Sequence, residues 1–442
     1  MVEERIMSKR VDQFFETLGM NRKSLDLNFE LERFLSHMKQ GLMTSDRNDN
    51  LLMIPTYLSL GSKIPLHEPV IVMDAGGTHF RIALIYFDDR LQAVIQDFQR
   101  YPMPGTQGEM NKETFYNTIA DYMLPYLNHA QKVAFCFSYG TEILPNHDGR
   151  ILYFSKEVRC EDAEGTLLGE SLKETLAKKG VAEADQIQFV VLNDTVAALM
   201  GGFAESNARE HSAYTGFVMG TGLNMAYVEE NINIQKLRGQ IPLLNNMIIN
   251  TEAGDYLIES SNKVFRKIDE RSAQPGISLL EKQVSGRYQG QVAYYMIEEA
   301  IEQGLFSEDF AQAFSAIPEI ASADLDNFVR DSYATGFLQD LCQDDRDREL
   351  VYRIIDSIFE RAAQLVAVVF TAVHSKLGKG RNPTKPIAIT MEGSTYYKSD
   401  MFRNKLHYYV KKFINEEHGF YNEILHVDHA NLIGSAMAAL LN

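Results

Sequence analysis

An α/β protein assembled from two related halves is what the sequence predicts, and three observations carry that expectation. Strand-like runs alternate with segments of helical spacing along most of the chain, as in α/β architectures. A strand, glycine turn, strand device occurs twice, as "VMDAGGTHFRIALIYF" (72–87) and "GFVMGTGLNMAYVEE" (216–230). The 442 residues suffice for two or three domains with large cores.

The elements follow in order. Residues 8–42 carry Phe14, Phe15, Leu18, Leu31, Phe34, Leu35 and Met38 at helical spacing, a helical start. Residues 70–74 and 81–87 are two strands joined by the first glycine turn. "KVAFCFS" (132–138) and "GRILYFS" (149–155) read as strands around a turn containing Pro145, Asn146, Asp148 and Gly149. A helix ending on glycine, "ESLKETLAKKG" (170–180), precedes a strand, "QIQFVVL" (186–192), and a second helix, "TVAALMGGFAES" (195–206). After the second glycine turn, residues 255–375 are mostly helical. "PIAITMEGS" (386–394) is a strand entering a glycine-serine turn before the helix "DMFRNKLHYYVKKF", and "NLIGSAMAALLN" (431–442) is a closing helix of small residues. No Pro-, Gly- or Ser-rich linker parts the halves, so a hinge is expected around Leu192–Asp194.

Composition narrows the function. At 45% hydrophobic and 23% charged the chain is ordinary for a globular protein. A formal net charge of -17 argues against a nucleic-acid partner, which needs a basic face. An anionic small molecule remains compatible, because local cations, backbone N–H groups and Mg²⁺ can hold one. Cys136, Cys160 and Cys342 are odd in number and lack CxxC spacing, which fits reduced thiols in a cytoplasmic protein. The N-terminus has no apolar signal core. The longest apolar stretch, "AAQLVAVVFTAV" (362–373), falls short of the roughly 20 residues that span a bilayer. It reads as a buried helix, and no membrane partner is expected.

The two glycine turns are the first candidate site. They lack GxxxxGK[ST] and the third glycine of GxGxxG, so neither a Walker loop nor a dinucleotide fingerprint fits. One alone would be an ordinary hairpin in which glycine supplies a positive φ. Two, each with a threonine beside its glycines, suggest a two-jawed phosphate clamp, with backbone N–H groups and the Thr78 and Thr221 hydroxyls facing an anion. Asp74, at the strand end, could orient Mg²⁺ through water. "LNDTVAAL" sets Asn193 and Asp194 between a strand and a helix. That position suits an N-cap, and equally a carboxylate base at the carboxyl end of a strand, where α/β folds open their crevices. Ser138, and Ser155 with Lys156, end strand-like runs. Glu252 and Glu281 resemble ordinary solvated glutamates when taken singly.

Taken together and in order, "IPTYL", "MDAGGTHFR", "FCFSYG", "FSKEV", "NDTVAAL", "MGTGLNMAY", "NTEAG", "LLEKQVSGRYQG" and "EGSTYYK" resemble the motifs of the hexokinase family, meaning the long eukaryotic-type sugar kinases. The resemblance runs from about residue 38 to the end. It implies a two-domain actin-like (ribonuclease H-like) ATPase fold with a central cleft. The expected small domain is residues 63–192 plus 431–442, and the large domain is 1–62 plus 193–430. It further implies ATP- and Mg²⁺-dependent phosphorylation of a hexose, glucose or a relative, at its 6-hydroxyl, by a monomer or homodimer at the entry to glycolysis. Asp194 matches the family's general base. Ser138, Ser155, Lys156, Asn193, Asn224, Glu252 and Glu281 match its sugar-binding positions, and Lys156 could also stabilise charge during transfer. Asp74, Gly76, Gly77, Thr78 and Arg81 match the first phosphate motif, and Gly220, Thr221 and Gly222 the second. Gly393 and Ser394 fall in the nucleoside-binding motif.

Departures cluster around the sugar. There is no tryptophan, so the family's "TEWG" is TEAG here and its "WTKG" is FSKE. The family's "SFP" becomes Ser138-Tyr139-Gly140, read as a looser loop. Ser155 stands where threonine is usual and His79 where asparagine is usual. Two rival readings keep the fold: a catalytically silent sugar-binding regulatory protein, and an ATPase acting on a protein partner. Retention of Asp194, Lys156 and both phosphate turns speaks against the first. Hydroxyl-binding residues in both halves speak against the second.

Overall fold

The computed structural model describes residues 2–46, 51–61, 63–154, 158–205, 210–258 and 262–442. Two sheets organise the chain. The first has the order Ala93–Pro102, His79–Phe87, Val70–Ala75, Lys132–Phe137, Gln188–Leu192. Its first three strands are antiparallel and the remaining pairings are parallel. The second runs Ile54–Pro55, Asn246–Asn250, Leu223–Glu230, Ala213–Met219, Ile387–Glu392, Asn422–Leu425, again antiparallel through the hairpin and then parallel. An antiparallel hairpin extended by parallel strands is thus built twice, the repetition that the two glycine turns announced. The parallel strands sit beneath helices, as parallel pairing requires.

Between the sheets lie two helices of small residues. Asp194–Glu205 packs on Ala213–Met219 and Ile387–Glu392, while Ala430–Leu441 packs on Lys132–Phe137 and Val70–Ala75, and the helices pack on each other. Their approach leaves no room for side chains at the crossing. A Cβ on Gly434 would lie 1.8 Å from the Ala197 carbonyl oxygen, and one on Gly201 would lie 2.4 Å from that of Ala430. The chain passes from the first sheet to this helix pair through a single residue, Asn193.

The helix Asp345–Leu377 buries residues 362–373 in the larger core, as a run that is apolar except at Gln364 and Thr371 requires. Among the described residues no helix is long and apolar enough to cross a membrane. The helical start is two helices, Val2–Thr17 and Leu27–Met43, the second capped by Asp26, whose carboxylate accepts from the Asn28 and Phe29 N–H groups.

One sequence reading is corrected and one strand was missed. "GRILYFS" does not share a turn with "KVAFCFS": Gly149–Tyr153 pairs with a separate short strand, Gly140–Ile143, while Lys132–Phe137 lies in the first sheet beside Val70–Ala75. Four residues beginning at a glycine carry too little alternation to announce a strand. Ala93–Pro102 also escaped detection, because it is an edge strand whose middle is exposed and whose apolar residues, Ala93, Val94, Ile95, Phe98 and Tyr101, do not alternate with polar ones.

Candidate active site

In the first turn, Val70–Ala75 and His79–Phe87 pair antiparallel, with Asp74 opposite Arg81. The Arg81 guanidinium donates to the Asp74 carboxylate at 2.5 Å. Asp74 is 2% exposed and the Arg81 side chain 39%. Burial pushes the Asp74 carboxyl up, and Arg81 pulls against that shift. The turn closes through the Gly76 N–H, which donates to the His79 carbonyl at 3.0 Å, and the Met103 N–H holds the Thr78 carbonyl at 3.1 Å.

The second turn joins Ala213–Met219 to Leu223–Glu230. The Gly220 N–H donates to the Gly222 carbonyl at 3.0 Å, and the Gly220 carbonyl accepts from the Gly286 N–H at 2.9 Å and the Thr395 hydroxyl at 3.1 Å. None of Gly76, Gly77, Gly220 and Gly222 takes a positive φ, so these glycines are not there for left-handed backbone. Gly222 answers to space instead: a Cβ there would lie 2.8 Å from Glu281 Oε2. Gly393 answers to both, with φ +104° and a Cβ position 2.3 Å from the Met219 carbonyl oxygen.

Both turns face one cleft of about 620 Å³ between the sheets. Gly76, Gly77, Gly220, Thr221 and Gly222 line it, with Asp74, Arg81 and Gly393. Thr78 and Ser394 instead line an adjoining cavity of about 850 Å³, which Gly77, Gly220 and Thr221 also border. Arg287 reaches both spaces, and Lys398 lines the cavity.

At the base of the cleft, Asn193 Oδ1 accepts from the Thr195 N–H at 2.9 Å, so Asn193 does the capping. Asp194 is the first helical residue, oriented by the Thr195 hydroxyl at 3.3 Å and facing the cleft. Of the two roles that the sequence left open for this pair, the capping falls to Asn193.

A carboxylate and amide cluster faces them. Glu252 Oε1 accepts from Asn250 Nδ2 at 2.5 Å and Asn224 Nδ2 at 3.2 Å. Asn224 Oδ1 is held by the Met225 and Ala253 N–H groups at 2.7 and 3.2 Å. Glu252 is held in left-handed backbone, φ 54°, uncommon for a non-glycine residue and a form of strain that gathers at functional sites. Burial, then the Asp255 charge, push the Glu252 carboxyl up to about 8. The Asn250 hydrogen bond works in the opposite sense, and Asp194 and Glu281 add to the rise. Glu281 Oε2 accepts from the Leu223 N–H at 3.1 Å, tying this cluster to the second turn.

Ser138, Asn193, Asp194, Asn224, Glu252 and Glu281 therefore line one cleft. Ser155 and Lys156 lie outside the described residues. Three participants escaped the sequence reading. Asn250 orients Glu252, and its only signal was its place ahead of "TEAG". Glu392 lines the cleft, its carboxyl pushed up to about 7 by burial, Asp194 and Asp74. It stood in "EGSTYYK" but was passed over for the glycine and serine. Tyr139, read as part of a looser loop, is 4% exposed, and its hydroxyl donates to the Gly76 carbonyl at 2.8 Å. The loop is tied down. Gly140 is needed there because a Cβ would meet the Tyr153 ring at 2.5 Å.

Two family models described as hexokinase match residues 10–203 and 214–441. The chain belongs to the hexokinase family. Hexokinase-2 of Rattus norvegicus is 25% identical over 430 residues, covering 92% of this chain but 45% of that protein. The chain thus spans about half the length of such relatives, whereas it spans 84% of hexokinase-1 of Nicotiana tabacum, at 24% identity over 90% of this chain. Among solved structures, the hexokinase of Schistosoma mansoni complexed with glucose superposes with a TM-score of 0.79 at 20% identity, covering 98% of this chain and 99% of the other. A second solved hexokinase gives 0.73 at 17% identity, covering 98% and 100%. These likenesses establish the two-domain actin-like fold that the motif order implied. Among the described residues no group of three His, Cys, Asp or Glu side chains could hold a metal ion.

Proposed function

We propose that this chain transfers the γ-phosphoryl group of ATP to the 6-hydroxyl of glucose or a related hexose. The observation that carries the reading is the convergence of Asp194, the amide and carboxylate cluster and both glycine turns on one cleft. A hexose presents a ring of hydroxyls, each donor and acceptor, and Asn193, Asn224, Glu252 and Glu281 offer matching groups. Sites built to hydrogen-bond hydroxyls reject analogues that lack them by large factors.

The mechanism follows from the residues. Asp194 accepts the proton of the 6-hydroxyl, whose oxygen bonds to the γ-phosphorus while the bond to the β,γ-bridging oxygen breaks and ADP leaves. The N–H groups and threonine hydroxyls of the two turns hold the phosphates, and the adjoining cavity takes the nucleoside. Lys156 is assigned to the charge that develops during transfer. Asp74 and Glu392 both line the cleft, and their mutual repulsion suits a nearby divalent cation. Mg²⁺, bound mainly by phosphate oxygens and water, would neutralise phosphate charge there. Residues 63–192 with 431–442 are proposed to close against 1–62 with 193–430, which would exclude water as a competing acceptor.

A coupled ADP-release assay over glucose, mannose, fructose, N-acetylglucosamine and no sugar tests the reading. ADP formation should depend on one or more of the hexoses. Equal ADP release with and without sugar would turn the reading towards an ATPase, and a sugar-induced conformational change without ADP towards a silent regulator.

A further inference from the structure

The Tyr139 hydroxyl sits where the sugar side of the cleft meets the first phosphate turn. Two hydrogen bonds join these segments: the Ser138 N–H donates to the Ala75 carbonyl at 3.3 Å, and the Tyr139 hydroxyl donates to the Gly76 carbonyl at 2.8 Å. Tyr139 is 63 residues from Gly76 in sequence, so the contact is tertiary. Its ring is fixed by Phe137 and Phe154, with centroids 5.0 and 5.6 Å away.

The Gly76–Gly77 peptide is the least constrained part of the turn by side-chain sterics, since neither residue has a Cβ. A planar trans peptide points its carbonyl and its N–H in opposite directions. Holding the Gly76 carbonyl against Tyr139 therefore sets the direction of the Gly77 N–H. A flipped peptide would present a carbonyl oxygen where the N–H had been, repelling a phosphate instead of binding it.

We propose that Tyr139 is a positioning residue for phosphoryl-donor binding: its hydroxyl holds the Gly76–Gly77 peptide in the orientation that offers the Gly77 N–H to a phosphate of the nucleotide. The role rests on the nucleotide reading above. It assigns the tyrosine that replaces the family's phenylalanine to the donor, although it lies in a sugar-side motif.

Tyr139→Phe removes the hydroxyl and keeps the ring. A net hydrogen bond of ordinary strength predicts a loss of about 3- to 10-fold in affinity for ADP and for a non-hydrolysable ATP analogue, measured by calorimetry without turnover. In steady state the KM for ATP should rise by a similar factor and kcat should fall, while the KM for the hexose stays within about twofold. Unchanged nucleotide affinity would overturn the proposal. So would an equal loss for sugar and nucleotide accompanied by a fall in Tm, which would mark a merely structural role. If the wild-type protein binds nucleotide yet makes no ADP with any sugar, the kinase reading fails while calorimetry still decides the role of Tyr139.

Discussion

The two glycine turns occupy equivalent places in two sheets of the same design, yet they are held by different forces. The first adds an ion pair to its neutral contacts with Tyr139 and Met103: a buried carboxylate in its entering strand meets an arginine in its leaving strand. Among the described residues the second carries no such pair at its ends. Groups from distant segments hold it, the Gly286 N–H and the Thr395 hydroxyl on the Gly220 carbonyl, and the Glu281 carboxyl group on the Leu223 N–H. Duplication of a fold preserves the path of the backbone, not the interactions that stiffen it. The first turn can be perturbed electrostatically and the second by crowding.

Asp194 belongs to neither turn, so its loss should separate chemistry from grip. Asp194→Ala should lower kcat by about 10²- to 10⁴-fold while nucleotide affinity stays within about twofold. A parallel loss of nucleotide affinity would show that the base and the turns do not act independently.

Arg81→Ala should be the most damaging change within a turn, because it leaves Asp74 buried without its cation. A fully enclosed pair would cost about 3–5 kcal/mol, and the part-exposed arginine reduces this to about 1–3 kcal/mol in chemical denaturation. Should Arg81→Ala prove as stable as wild type, the first turn is not charge-held and the contrast fails.

Glu252 gives a smaller effect with a definite sign. Its folded-state pKa of about 8 lies above the ordinary 4.5, so its stabilising share is complete below about pH 4.5 and is lost as pH rises through 8. Glu252→Gln should therefore flatten the decline of Tm between about pH 5 and 8. A difference on the order of 1 kcal/mol across that window is expected, since Glu252 is only partly enclosed where it borders the cleft. An unchanged slope would remove Glu252 as its source.

Gly222→Ala should do least. The added methyl displaces the end of a flexible side chain, Glu281, from the Leu223 N–H. The KM for the hexose should rise about two- to fivefold with little change in Tm. A large loss of stability would mean that the second turn is sterically rigid, not merely crowded.

Much of this was readable in the sequence, for physical reasons. Asp194 stood out because a strand ended and a helix began within three residues of it, and such junctions open crevices. The turns stood out because glycines and threonine interrupted apolar runs twice. Tyr139 was read in the wrong sense because its partner, Gly76, is remote in sequence, and looseness was inferred from the neighbouring glycine alone. Asn250 was missed because its strand, Asn246–Asn250, sets three apolar residues between two asparagines and shows no alternation. Glu392 was hidden because its charged neighbours, Asp74 and Asp194, come from separate segments.

The central claim is that these turns present a triphosphate to a hexose hydroxyl beside Asp194. Phosphorus NMR of the protein with ATP, Mg²⁺ and glucose tests it most directly. The account predicts a sugar phosphomonoester at carbon 6, formed in equal amount to ADP. ADP accompanied only by inorganic phosphate would contradict it.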